Sequence, residues 1–139
     1  MSNFNENTRV QVPAALHLCK LGYEYLDEKD IMAYDHKTNI LTDVFLRSIR
    51  HINPDATGEE VSMLYSKIIN ISDNADLGRE FYALLSANSG VKLVDFENPD
   101  NNEWHVTTEF TCHNDETDDE FRPDITCFVN GMPLAFIEV

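Results

Sequence analysis

The chain has 139 residues, 42% of them hydrophobic, which suits one domain with its own core, and no apolar run is long enough to cross a membrane. Ten basic against twenty-five acidic residues give a formal net charge of −15, which excludes a protein that grips DNA by itself through a basic face. Cys19, Cys112 and Cys127 are odd in number and lack C-x-x-C spacing, which excludes a disulfide framework and a zinc finger; they read as reduced core thiols of a cytoplasmic protein.

In chain order, apolar residues at Val12, Ala15, Leu16 and Cys19 predict a helix over 8–21 that ends at Gly22, a position suited to a left-handed residue just past a helix. Thr8-x-x-Gln11 has the capping-box pattern, while Pro13 favours the first helical turn, so the start of this helix stays open. Residues 23–39 are polar with scattered aromatics and predict a short strand and a loop. The stripe Leu41, Val44, Phe45, Ile49 and Ile52 predicts a second helix, stopped by Pro54. Thr57-Gly-Glu-Glu60 is another capping box, leading a third helix with Val61, Leu64, Tyr65 and Ile68 on one stripe. A fourth runs from about Asp76 through Leu77, Phe81, Leu84 and Leu85 to the break at Gly90.

Strands dominate from there. Val91–Phe96 reads as a strand and 97–102 as a turn. Trp104, Val106, Thr108, Phe110 and Cys112 alternate with His105, Thr107, Glu109 and Thr111, the pattern of a half-buried antiparallel strand. Residues 113–120 carry five acids and read as a solvated loop without the spacing of a calcium-binding EF-hand. A helical first half and a stranded second half predict an α+β domain, with N-terminal helices packed on a mostly antiparallel sheet. No nucleophile motif and no phosphate-binding G-x-x-x-x-G-K-[ST] loop is present.

Residues 122–139 read as two strands joined at Asn130-Gly131, the strongest short-range hairpin signal. The second strand, Pro133–Val139, is apolar on both parities until Glu138, as expected of a central strand covered on both faces. Asp124 opens the first strand and Glu138 nearly closes the second, so the hairpin folds two carboxylates back towards each other, one way to build a divalent-metal site.

Pro123-Asp124, a strand and Glu138 resemble the PD-(D/E)xK nuclease superfamily. Phe121-Arg-Pro-Asp-Ile125 followed by Phe128-Val-Asn-Gly-Met-Pro-Leu-Ala-Phe-Ile-Glu138 resembles, more specifically, the nuclease-domain hairpin of the restriction (R) subunit of type I restriction–modification enzymes. Residues 8–23 and 102–109 resemble the N-terminal region of the same subunit. The resemblance implies one nuclease-type domain over 1–139 with a truncated restriction-endonuclease-like core, in which Asp124 and Glu138 are catalytic and hold Mg²⁺. It also implies a metal-assisting side chain near the start of the first helix, for which Glu6 and Gln11 are candidates. ATP would be used only by motor domains outside these residues, double-stranded DNA would be the substrate of the full complex, and methylation and specificity subunits would be the partners. The family motif continues to a Lys one residue past Val139. The chain is therefore expected to be a piece of a larger protein, incomplete at its C-terminus and inactive alone.

Each candidate has a plainer reading beside this one. Gln11 can simply cap the helix. Glu109 can be exposed on the polar face of its strand or support the metal site. Asp124 can cap a strand start after Pro123 while Glu138 pairs with a basic neighbour such as Arg122. A function of another class, an acidic module that docks on partner subunits, rests on the charge of −15.

The loop geometry discriminates. A regular two-residue turn would pair Asp124 with Ile137 and leave Asp124 and Glu138 on opposite faces, because side chains alternate along a strand. A three-residue loop, Val129 to Gly131, or an equivalent bulge would put both on one face. The nuclease resemblance therefore predicts an odd-length loop or a bulge, with positive φ at Gly131.

Overall fold

A computed structural model describes residues 7–31, 34–72, 78–87, 90–114, 117 and 119–139. Glu6, the predicted start of the fourth helix at Asp76 and Leu77, and parts of the break before Gly90 and of the acidic run 113–120 lie outside the described residues.

One π-helical turn, Asn7–Gln11, leads into α1 (Val12–Lys20), with Pro13 in the first α-helical turn. Gly22, at φ 115°, ends the helix where a residue with a Cβ would be strained. The apolar face of α1 is rotated from the one predicted: Ala14, Ala15, Leu18 and Cys19 turn inward, while Val12 and Leu16 are 48% and 59% exposed. After β1 (Glu24–Tyr25) come α2 (Thr42–Ile52), α3 (Gly58–Ser72) and α4 (Arg79–Leu85). The Thr57 capping box forms, its Oγ1 accepting from the Glu60 N–H at 3.1 Å. The strands are β2 (Trp104–Thr108), β3 (Cys112–His113), β4 (Glu120–Phe121), β5 (Ile125–Val129) and β6 (Met132–Ile137).

The main sheet has the order β1-β2-β5-β6, with β1 parallel to β2 and the other pairs antiparallel, and β3 and β4 form a separate small ladder. The domain is therefore α+β with a mixed sheet. On one face Val106, Ile125 and Cys127 pack under Ala14, Leu18 and Cys19 of α1. On the other, Phe128 packs with Leu41, Phe110 and Cys112, while Phe45 and Ile49 of α2 and Val61, Leu64 and Ile68 of α3 enclose the hairpin end at Val129 and Met132. The cysteines are free; Cys112 and Cys127 are buried, and burial pushes the Cys112 thiol up to about 11, which makes it an inert core residue.

Two predictions about strands are corrected. Residues 91–96 form no strand, because side chains take their backbone groups: Asn53 bonds both the N–H and the carbonyl of Lys92, at 2.8 and 2.7 Å, and the Asp95 N–H donates to Asn102 Oδ1 at 2.8 Å. Strand β2 is not half-solvated. It lies between β1 and β5 with both faces covered, so His105 and Thr107 are each 2% exposed, and it stops at Glu109, whose φ of 54° turns the chain before Cys112. Within these residues strand β6 lies last in the sheet order, and its apolar run leaves Leu134, Ala135 and Phe136 exposed.

Candidate active site

The hairpin turn contains two residues, Asn130 and Gly131, with φ of 51° and 80° and Val129 paired with Met132. Positive φ at both positions matches the right-handed twist of the flanking strands. The three-residue loop is thus not used. Instead, the register slips between Cys127 and Phe128: Phe128 faces Pro133, but Cys127 faces Ala135, so Leu134 is an extra residue in β6. Beyond this bulge Thr126 faces Phe136 and Ile125 faces Ile137, which brings Asp124 level with Glu138 and onto the same face. The bulge does what an odd-length loop would have done.

The turn is held from inside the protein. Asn130 is fully buried; its Nδ2 donates to the Leu93 carbonyl at 2.9 Å and to Asn102 Oδ1 at 3.0 Å, and its Oδ1 accepts from the Glu103 N–H at 2.8 Å. The Gly131 carbonyl accepts from the Leu41 N–H at 2.9 Å, seating the turn on the start of α2. This anchoring fixes the register, and through it the position of both acids.

Asp124 is half-buried and its backbone is pinned. Its carbonyl accepts from Gln11 Nε2 at 2.6 Å and from the Glu109 N–H at 3.1 Å. Gln11, 3% exposed, is therefore no helix cap: its side chain crosses from the start of α1 to the strand that carries Asp124. Nothing in the sequence pattern signals this, since the two residues are 113 apart. Glu109 is exposed, as its plainer reading has it, but in a turn just past the strand; its backbone N–H bonds the Asp124 carbonyl, and the residue lines a cleft with Arg122.

The carboxyls of Asp124 and Glu138 meet. A hydrogen bond shared with the Asp124 carboxyl, together with desolvation and repulsion between the two charges, holds the Glu138 carboxyl above its usual range. The Val139 N–H donates to Asp124 Oδ2 at 3.0 Å. Glu138 is not paired with Arg122, which removes the plainer reading of that residue. Among the described residues, no group of three or more His, Cys, Asp or Glu side chains is placed to hold a metal ion. One half-buried and one exposed carboxyl side by side, with no basic group between them, can together hold a cation.

Compared with known proteins, residues 3–139 match the family described as the type I restriction enzyme R protein N terminus. A Methanocaldococcus jannaschii protein named "Putative type I restriction enzyme MjaIXP endonuclease subunit" is 31% identical over 159 residues, an alignment covering 99% of this chain and 15% of that relative. The chain thus spans about 15% of the length of the curated relative it matches. No solved structure matches it.

Proposed function

Since the chain belongs to the family of type I restriction enzyme R protein N termini, we propose that it carries the site at which such a subunit cuts double-stranded DNA, with Asp124 and Glu138 as the metal-holding catalytic residues. The observation that carries this proposal is the bulge in β6, which brings two acids at the ends of adjacent strands together on one face. A bulge that re-aims a side chain is common beside active sites, and a plain hairpin would have separated the acids.

The donor set fits Mg²⁺, a hard cation that takes one or two carboxylates and completes its shell with waters and substrate phosphate oxygens. Mg²⁺ held there would lower the pKa of a bound water and offset the charge that develops on the phosphate. The chain's own residues supply placement. Gln11 and the Glu109 N–H fix the backbone of Asp124, and the Val139 N–H orients its carboxylate. Gln11 therefore acts by positioning a ligand, and Glu109 contributes through its main chain.

On this proposal the fold is a restriction-endonuclease-like core. ATP-driven domains elsewhere in the subunit deliver cytoplasmic DNA to it, and methylation and specificity subunits complete the assembly. The charge of −15 supports this division of labour, because such a surface holds no duplex by itself. The same charge favours the second function, an acidic face that docks on basic partner surfaces, and the two are separable. In the full-length subunit assembled with its partners, Asp124→Ala or Glu138→Ala should abolish DNA cleavage and leave ATP hydrolysis near the parental rate. Cleavage at the parental rate by either variant would contradict the nuclease proposal and leave the docking function.

A further inference from the structure

We infer that Arg122 seats the DNA backbone beside the acid pair by binding one phosphate of the strand to be cut; this rests on the nuclease proposal above. Arg122 stands two residues before Asp124 and is exposed. Among the described residues it makes no ion pair or hydrogen bond, although the chain carries twenty-five acids. Asp124 and Glu138 bond each other instead of the guanidinium. Arg47, by contrast, is held by Glu103 at 2.7 Å and is committed to the fold.

The surroundings give this free cation a specific task. Arg122 lines a cleft of about 290 Å³ with Tyr25, Asp27, Glu28 and Glu109, and it is the one basic residue on those walls among the described residues. The cleft lies beside the Asp124 backbone, because its wall residue Glu109 donates its N–H to the Asp124 carbonyl at 3.1 Å, and Arg122 stands two residues before Asp124 in the chain. Asp27 and Glu28 repel a phosphate wherever it approaches them. The guanidinium offers a planar fork of donors that matches two phosphate oxygens. A DNA backbone passing this cleft therefore gains electrostatic energy in one register, with a phosphate on Arg122, and loses it in neighbouring ones. Arg122 sets which phosphodiester lies over Asp124 and Glu138.

The test uses the full-length subunit assembled with its partners, with a supercoiled plasmid carrying the recognition site as the probe. Arg122→Ala should lower the cleavage rate at subsaturating DNA about 10- to 100-fold, the worth of a charge-assisted bidentate contact. Arg122→Lys should recover part of the loss and Arg122→Glu should deepen it, while ATP hydrolysis and melting temperature stay parental because the side chain holds nothing in the fold. Asp124→Asn is the reference. If Asp124→Asn abolishes cleavage while Arg122→Ala cuts at the parental rate at every DNA concentration, the role of Arg122 is overturned and the nuclease proposal stands. If Asp124→Asn itself still cuts, the nuclease proposal fails first. A lowered melting temperature in Arg122→Ala would assign the residue to the fold and also overturn the inference.

Discussion

The register of the hairpin depends on Gly131, and replacing it with alanine measures how firmly. Gly131 has φ of 80°, and a Cβ there would lie 2.6 Å from the Leu41 carbonyl oxygen, 2.8 Å from the Phe45 nitrogen and 3.2 Å from the Phe45 Cα. All three are backbone atoms at the start of α2, so no side chain can swing aside. The left-handed conformation costs an alanine about 1–2 kcal/mol and the forced displacement about 1–3 kcal/mol more, for a total of about 2–5 kcal/mol. With a urea dependence of about 2 kcal/mol per molar, the unfolding midpoint should fall by about 1–2.5 M. Gly90 is the control: its φ is also 80°, but a Cβ there meets nothing within 4 Å. Gly90→Ala should therefore lose only the conformational part, about 1–2 kcal/mol. Equal shifts in the two variants would refute the claim that the turn is clamped against α2.

Two further predictions concern groups buried near the same turn. Asn130→Ala removes the partners of the Leu93 carbonyl, the Glu103 N–H and Asn102 Oδ1, and should destabilise by about 2–4 kcal/mol in chemical denaturation; a loss below about 1 kcal/mol would mean that these groups find other partners. His105 is buried with its Nδ1 unpartnered, and burial holds its pKa below the usual 6.5, outweighing the opposing pull of Glu103 and Glu24. The unfolded chain therefore takes up this proton first, so the histidine's contribution to stability is complete above about pH 6.5 and is lost as pH falls through the lowered folded value. Melting temperatures at pH 7.5 and 5.5 should differ more for the parent than for His105→Phe, and identical differences would contradict this.

What the sequence made legible was local. The Thr57 capping box, the stop at Gly22 and the Asn130-Gly131 turn are each written in two to four adjacent residues, and each forms. That Asp124 and Glu138 would share a face was inferable only through the family resemblance, since two acids at the ends of one hairpin share a face only with one extra residue, and alternation leaves few ways to supply it. Leu134 could not be singled out as that residue, since nothing in Pro133-Leu134-Ala135 marks a bulge.

Long-range contacts were not legible. Gln11 matched a capping pattern and instead bonds a carbonyl far along the chain, and Asn53 took the hydrogen bonds a strand over 91–96 would have needed. The alternation in β2 predicted a wet face, but loop residues such as Leu26, whose carbonyl accepts from the Thr107 hydroxyl at 2.8 Å, cover it.

The central claim is that Asp124 and Glu138 together hold a divalent cation. Mn²⁺ binding to the intact subunit without nucleotide, followed by the loss of the free-ion electron paramagnetic resonance signal, tests it without relying on cleavage. The account predicts a bound ion in the parent that Asp124→Asn and Glu138→Gln each lose, with both variants folded. Unchanged Mn²⁺ occupancy in either variant would contradict it.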